Sequence, residues 1–148
     1  MKISKMKIRL IKEKEALNAA KIVGINYSKE YQRRSKLEIE AMFRNYVYKP
    51  KFFVAEENGE ILGFAGYIVS WMAYSVYQIF WVNVIPEKQG KGIGTSLVNK
   101  LISDIRKQKE ARFILMSTDK PEFYRKFGFK ELKKLEKSYR LMSLDLKK

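Results

Sequence analysis

Gln89-Gly90-Lys91-Gly92-Ile93-Gly94 is the stretch of this chain whose residue types point most directly to chemistry. It follows a run of strand-forming residues, Tyr77 to Ile85, and precedes a long amphipathic segment. Glycine lacks a Cβ and tolerates positive φ, so a glycine-rich turn from strand to helix presents several backbone N–H groups. The helix that follows adds unpaired N–H groups and the positive end of its dipole. Such a turn binds phosphate or pyrophosphate. Two familiar phosphate loops fail on spacing. A Walker-type loop needs lysine and then a hydroxyl after its last glycine, whereas Gly94 is followed by Thr95-Ser96. The dinucleotide fingerprint needs a third glycine where this chain has Thr95. The pattern that fits is [Gln/Arg]-x-x-Gly-x-[Gly/Ala], with Gln89, Gly92 and Gly94 at the fixed places. A second cluster, Pro121-Glu122-Phe123-Tyr124-Arg125-Lys126-Phe127-Gly128-Phe129, sets the phenol of Tyr124 among phenylalanines about 30 residues downstream. A buried tyrosine hydroxyl wants a polar partner, which makes Tyr124 a candidate for chemistry rather than packing alone.

Bulk properties narrow the field. The 148 residues suffice for a core and fit a single domain, 1–148; apolar content of 46% with 14% aromatic residues points to a folded globule. Neither cysteine nor histidine occurs. Thiolate chemistry is therefore excluded, along with the commonest general base and the commonest zinc ligand, and no carboxylate spacing suggests a metal. No apolar run reaches the length of a membrane span, and the opening Met1-Lys2-Ile3-Ser4-Lys5 lacks the apolar block of a secretory signal. Net charge is +15, but unevenly spread: residues 1–50 hold 13 basic and 5 acidic side chains, residues 51–100 hold 4 and 4, and residues 101–148 hold 14 and 7. Basic flanks attract anionic ligands or nucleic acid. A nucleic-acid module would interleave aromatics with that charge, whereas here the aromatics concentrate in the neutral centre.

The elements that must position the two clusters can be read from periodicity. Met6 to Ile11 reads as a first strand. Ala16, Ala19, Ala20 and Val23 mark one helical face with Gly24 near its end; Ile39, Met42, Phe43 and Tyr46 predict a second helix that stops before Pro50. Phe52–Glu56 and Ile61–Val69 flank Asn58-Gly59, a hairpin signal, and a further strand leads through Pro86 to the glycine loop. Ile93, Leu97, Leu101 and Ile105 form a wide apolar helical face, followed by a short strand, Arg112–Met116. Asp119 is expected to cap a brief helix with Pro121 in its first turn and Gly128 just past its end; Gly128–Leu132 and Ser138–Leu146 close as a hairpin. The order β-α-α-β-β-β-α-β-α-β-β is mixed α/β, with antiparallel hairpins before the loop and a crossover helix after it.

The glycine loop and the Phe-Tyr-x-x-x-Gly-Phe signature at Phe123 to Phe129, at this separation and in this element order, resemble the GNAT N-acetyltransferase superfamily over nearly the whole chain. The resemblance implies an α/β GNAT fold, a mostly antiparallel central sheet of about seven strands flanked by four helices, and acetyl-CoA as co-substrate with no metal. It also implies site residues. Gln89, Gly90, Lys91, Gly92, Ile93, Gly94 and Thr95 would form the pyrophosphate loop. Val82, Asn83 and Val84 would pair by main chain with the pantetheine arm, one N–H polarising the thioester carbonyl. Tyr124 would be the general acid toward the leaving thiolate. Ser117 stands where many relatives carry a CoA-contacting asparagine, and Lys126 could reach a phosphate.

For the base, a branch of the family carries glutamate eleven residues before the loop's Gln/Arg, where this chain has Gln78. A carboxamide cannot accept the proton, so Gln78 is expected to order water that does. Glu56 and Glu57 lie on another strand. The acceptor is expected to be a small-molecule amine or a peptide N-terminus, against a wall drawn from Tyr27, Tyr31, Trp71, Tyr74, Tyr77 and Trp81, with no acidic cluster ready for a polyamine. A GNAT fold that binds acyl-CoA without turnover is the alternative, and a basic nucleic-acid module the more distant one. Need for CoA and the missing signals point to the cytoplasm, and a homodimer is compatible with the sequence.

Overall fold

The structure, a computed structural model, describes residues 5–148; Met1–Ser4, part of the opening read above for a secretory signal, lie outside the described residues. The chain forms β1 (Lys7–Leu10), α1 (Ala16–Asn26), α2 (Lys29–Ala41), β2 (Lys51–Glu57), β3 (Glu60–Val69), β4 (Val76–Val84), α3 (Ile93–Arg106), β5 (Phe113–Thr118), α4 (Pro121–Arg125), β6 (Lys130–Lys134) and β7 (Arg140–Asp145). The expected mixed sheet of seven strands and four helices is present, in the order β1-β2-β3-β4-β5-β7-β6. Every adjacent pair is antiparallel except β4 with β5.

Both faces of this sheet are covered. On β2, Phe52 and Val54 join α1 and α2 residues such as Ala19, Val23 and Ile39, while Phe53 and Ala55 join Leu97, Leu101 and Ile105 of α3. A strand buried on both faces reads as one apolar run, as Phe52–Ala55 does. Asn58 and Gly59, at φ 53° and 79°, make the tight turn that the Asn-Gly pair predicts between β2 and β3.

Two expectations about helix ends are corrected. The second helix stops at Ala41, with Met42 as its C-cap, and Tyr46 is exposed. The apolar spacing runs on because Met42 and Phe43 pack on the Phe52–Val54 cluster from the turn beyond the helix, not from another helical turn. Asp119 does not cap α4 either. Lys120 is the N-cap residue and makes no side-chain cap; its N–H donates instead to the Thr118 hydroxyl at 2.9 Å. Pro121 occupies the first helical turn as expected.

Two irregularities position everything that follows. Between the pairs Phe64↔Asn83 and Gly66↔Phe80, β3 contributes one residue, and β4 contributes two, Trp81 and Val82. This is a β-bulge, which bends its strand and re-aims its side chains. Trp81 sits at φ 55°, a left-handed conformation uncommon for a bulky residue. It is held by a 3.0 Å bond from its indole N–H to Glu38 and by edge contact with Tyr31, ring centroids 5.9 Å apart. The second irregularity is that β4 pairs with β5 only over Val76, Tyr77 and Gln78. Past Gln78 the two strands diverge.

Candidate active site between the diverging strands

The wedge between β4 and β5 opens into a cavity of about 620 Å³. Val82, Asn83 and Val84 line it from β4, Gln89, Gly90, Gly92, Gly94 and Thr95 from the loop and the start of α3, and Tyr124 from α4. Two sequence motifs 30 residues apart thus meet because β5 returns beside β4 and delivers α4 to the mouth of the wedge.

The loop has the conformation its glycines suggest. Gly90 and Gly92 adopt φ of 77° and 86°, and open space lies where their Cβ atoms would stand. Gly92 is the N-cap of α3 and lends no side chain to its first N–H groups, which leaves them at the positive end of a 14-residue helix whose start, at Gly92, Gly94 and Thr95, lines the cavity. A Cβ on Gly94 would lie 3.3 Å from the Phe123 ring, so this glycine lets α4 approach α3. Lys88, Lys120 and Lys126 also line the cavity, which gives it the charge a pyrophosphate requires. Lys126 donates to the Thr95 hydroxyl at 2.7 Å and lies 4.5 Å from the Phe123 ring centre.

Gln89 has a structural part that its place in the motif did not reveal. Its Nε2 donates to the Val84 carbonyl at 3.1 Å and to Asn26 Oδ1 at 3.4 Å, while Asn26 Nδ2 donates to Asn83 Oδ1 and to the Val84 carbonyl, both at 3.0 Å. This clamp ties the end of α1 to the loop and to the open edge of β4. Lys91 and Ile93 do not line the cavity; Lys91 is exposed, and the Ile93 side chain is buried in the α3 core.

Tyr124 is 6% exposed, with its ring edge-on to Phe123 and Phe129. Burial, and after it the nearby Tyr27 and Asp119, raises the pKa of its phenol well above the ordinary tyrosine value, so it stays protonated throughout the neutral range.

A second hollow of about 310 Å³ adjoins the first. Tyr27, Tyr31, Trp81 and Tyr139 wall it, as three of the six expected aromatics and one not foreseen. The other three lie elsewhere: Trp71 meets Tyr48 edge-on and Tyr74 packs against it at a tilt, and Tyr77 packs against Tyr67 on the α3 side of the sheet. Ser117 lines this hollow and not the first cavity, where Thr118 stands in its place. Gln78 is further away, in a third hollow of about 540 Å³ that includes Glu38, Tyr48 and Ser117 but not Tyr124. Asp119 lines both the first cavity and the second, and sequence spacing marked it only as a helix cap. Tyr27 keeps 41% of its surface in solvent, yet burial of its hydroxyl end, followed by the Asp119 carboxylate, pushes its pKa up to about 12.

The acetyltransferase (GNAT) domain family matches residues 49–131, more than half of the chain. An uncharacterized N-acetyltransferase of Methanocaldococcus jannaschii is 34% identical over 89 residues, which are 54% of this chain and 39% of that protein, so the chain spans about two fifths of this relative. A GNAT-family acetyltransferase structure from Desulfovibrio desulfuricans superposes with a TM-score of 0.83 at 19% identity, over 95% of this chain and 99% of the other. A GNAT-family acetyltransferase from Brucella melitensis, solved with acetyl-CoA, gives 0.70 at 22% identity over 96% and 88%. By the extent of the domain match, with the fold and the glycine loop already in place, this chain belongs to the GNAT acetyltransferase family.

Proposed function

We propose that this chain, as one domain, moves an acetyl group from acetyl-CoA to a primary amine by direct attack, with Tyr124 as general acid. The observation that carries the reading is convergence: a positive-φ glycine loop, three lysines, an uncapped helix start and a buried tyrosine all face one cavity. The acetyl-CoA bound in the Brucella relative supports the choice of donor. That donor supplies an activated acyl carbon; the residues bind, orient and move protons.

In this reading Gly90, Gly92, Gly94 and Thr95 offer their backbone N–H groups to the pyrophosphate, with Gln89 fixing the loop's place and Lys91 and Ile93 completing the loop around them. The β5-side main-chain edge of β4 at Val82, Asn83 and Val84, which no strand pairs among the described residues, aligns the pantetheine arm and points an N–H at the acyl oxygen. The acceptor first loses its ammonium proton to water. Its nitrogen then bonds to the acyl carbon, the carbon–sulfur bond breaks, and the Tyr124 phenol gives its proton to the sulfur. The proton left on the new amide nitrogen returns to Tyr124, so one proton is released per turnover. A tyrosine held neutral suits this step, because it gives up its proton only as negative charge develops on sulfur. Gln78, in the third hollow, and Ser117, which lines both that hollow and the second, are assigned to ordering the water that carries the first proton away.

A screen of acetyl-CoA turnover across amine classes, read as free thiol, tests the proposal. Acceptor-dependent thiol release supports transfer. Tight CoA binding with no release above hydrolysis for any amine would leave a binding protein instead.

A further inference from the structure

The first cavity and the second hollow share six residues, Tyr27, Val82, Asn83, Thr118, Asp119 and Tyr124. Asp119 is the one carboxylate among them. The lysines of the site all lie on one side of this junction: Lys88, Lys120 and Lys126 line the first cavity and none lines the second. The second hollow has one cation of its own, Arg34, which is paired with Glu30 at 3.0 Å and lies 5.8 Å from the Tyr31 ring centre. At the outer end, Glu38 already accepts the Trp81 indole N–H. Asp119 forms no ion pair among the described residues. The result is a carboxylate set beside Tyr124 and backed by aromatic walls, at the place where donor and acceptor must meet.

Resting on the acetyl-transfer reading, we propose that Asp119 receives the ammonium of the acceptor at this junction. The hollow beyond it then takes a small primary amine with a flat apolar body. Aromatic faces at Tyr27, Tyr31, Trp81 and Tyr139 suit such a body and attract a cation at close range. A volume of about 310 Å³ fits a small molecule rather than several residues of peptide. Asp119 also helps keep the phenols of Tyr27 and Tyr139 protonated, after burial itself, through charge and a hydrogen bond at Tyr27 and through charge alone at Tyr139. Asp119 is a binding residue in this scheme. It orients the nitrogen toward the acyl carbon and leaves the proton transfers to water and Tyr124.

The test compares two acceptors of similar shape, phenethylamine, charged at neutral pH, and benzhydrazide, which is not. In the full chain with acetyl-CoA, Asp119→Asn is expected to raise KM for phenethylamine by about 10- to 100-fold, the worth of a hydrogen bond to a charged group. KM for benzhydrazide should move less than about twofold, and the Kd of CoA, which also reports folding, should not move. Asp119→Glu should restore part of the preference. Calorimetric binding of phenethylamine in the presence of CoA reads the same contact without turnover. If the wild type binds the amine, Asp119→Asn binds it about tenfold more weakly or worse, and no thiol is released, the transfer reading fails while this inference stands. Equal losses for both acceptors, unchanged phenethylamine binding in Asp119→Asn, or a short peptide N-terminus preferred to phenethylamine would overturn it.

Discussion

The Lys126 ammonium donates to the Thr95 hydroxyl at 2.7 Å, joining the helix that carries Tyr124 to the first turn after the glycine loop. The same ammonium lies over Phe123, so it is held between a hydroxyl and an aromatic face at the cavity's edge. Lys126→Met keeps the length and the apolar contact and removes the charge. Kd for CoA should rise about 3- to 10-fold at low salt and by less at high salt, because exposed charges are screened. Calorimetry at two ionic strengths measures both.

Gly92 holds φ at 86° with open space where a side chain would go. Gly92→Ala therefore meets no clash, and its penalty is the left-handed backbone alone, about 1–2 kcal/mol. Urea unfolding should show a lower midpoint at unchanged slope, and CoA binding should weaken along with it. If stability were unchanged while CoA binding fell, the loop would be relaxing to another conformation in the variant.

Much of this site was legible in the sequence because it is local. Gly90 to Gly94 and Phe123 to Gly128 carry their signals within a few residues, and the element order between them dictates that they meet. What was not legible depends on contacts far apart in sequence. Tyr77 and Trp81 have the same parity along β4 and on strand period should face the same side. They face opposite sides, since the bulge at Trp81 and Val82 adds a residue and flips the alternation. The Gln89–Asn26 bond spans 63 residues and joins a motif residue to a helix end of no special pattern. Asp119 owes its place to the turn after β5, where Lys120 takes the cap position that Asp119 was expected to hold.

Acid lability has a definite source outside the site. Arg9 grips Glu15 through both guanidinium ends, at 2.9 and 2.7 Å, and the Lys12 N–H donates to the same carboxylate at 2.8 Å. Foremost through the Arg9 bond, Glu15 is held down at about 2. A carboxyl whose folded pKa is depressed contributes stability above its unfolded value, about 4.3, and loses it as pH falls toward 2. The pair is partly solvated, so its contribution is about 1 kcal/mol rather than the full linkage value. Glu15→Gln should therefore be less stable than wild type at neutral pH by about that amount. The two unfolding curves should converge as the pH approaches 2.

Tyr124 offers the sharpest separation of chemistry from binding. Its ring packs among Phe123, Phe127 and Phe129, so Tyr124→Phe keeps the shape of the site and removes one hydroxyl. If that hydroxyl protonates the departing sulfur, kcat should fall about 10²- to 10⁴-fold while the Kd of CoA stays within about twofold. The pH profile gives a second reading. Burial keeps the phenol protonated well past its ordinary range, so the alkaline limb of kcat/KM in the wild type cannot be the titration of Tyr124. The variant should then show a lowered plateau with the same limbs. A limb that disappears in Tyr124→Phe would mean that the phenol ionises in the working range and acts as a base, and equal kcat values would remove it from the proton path altogether.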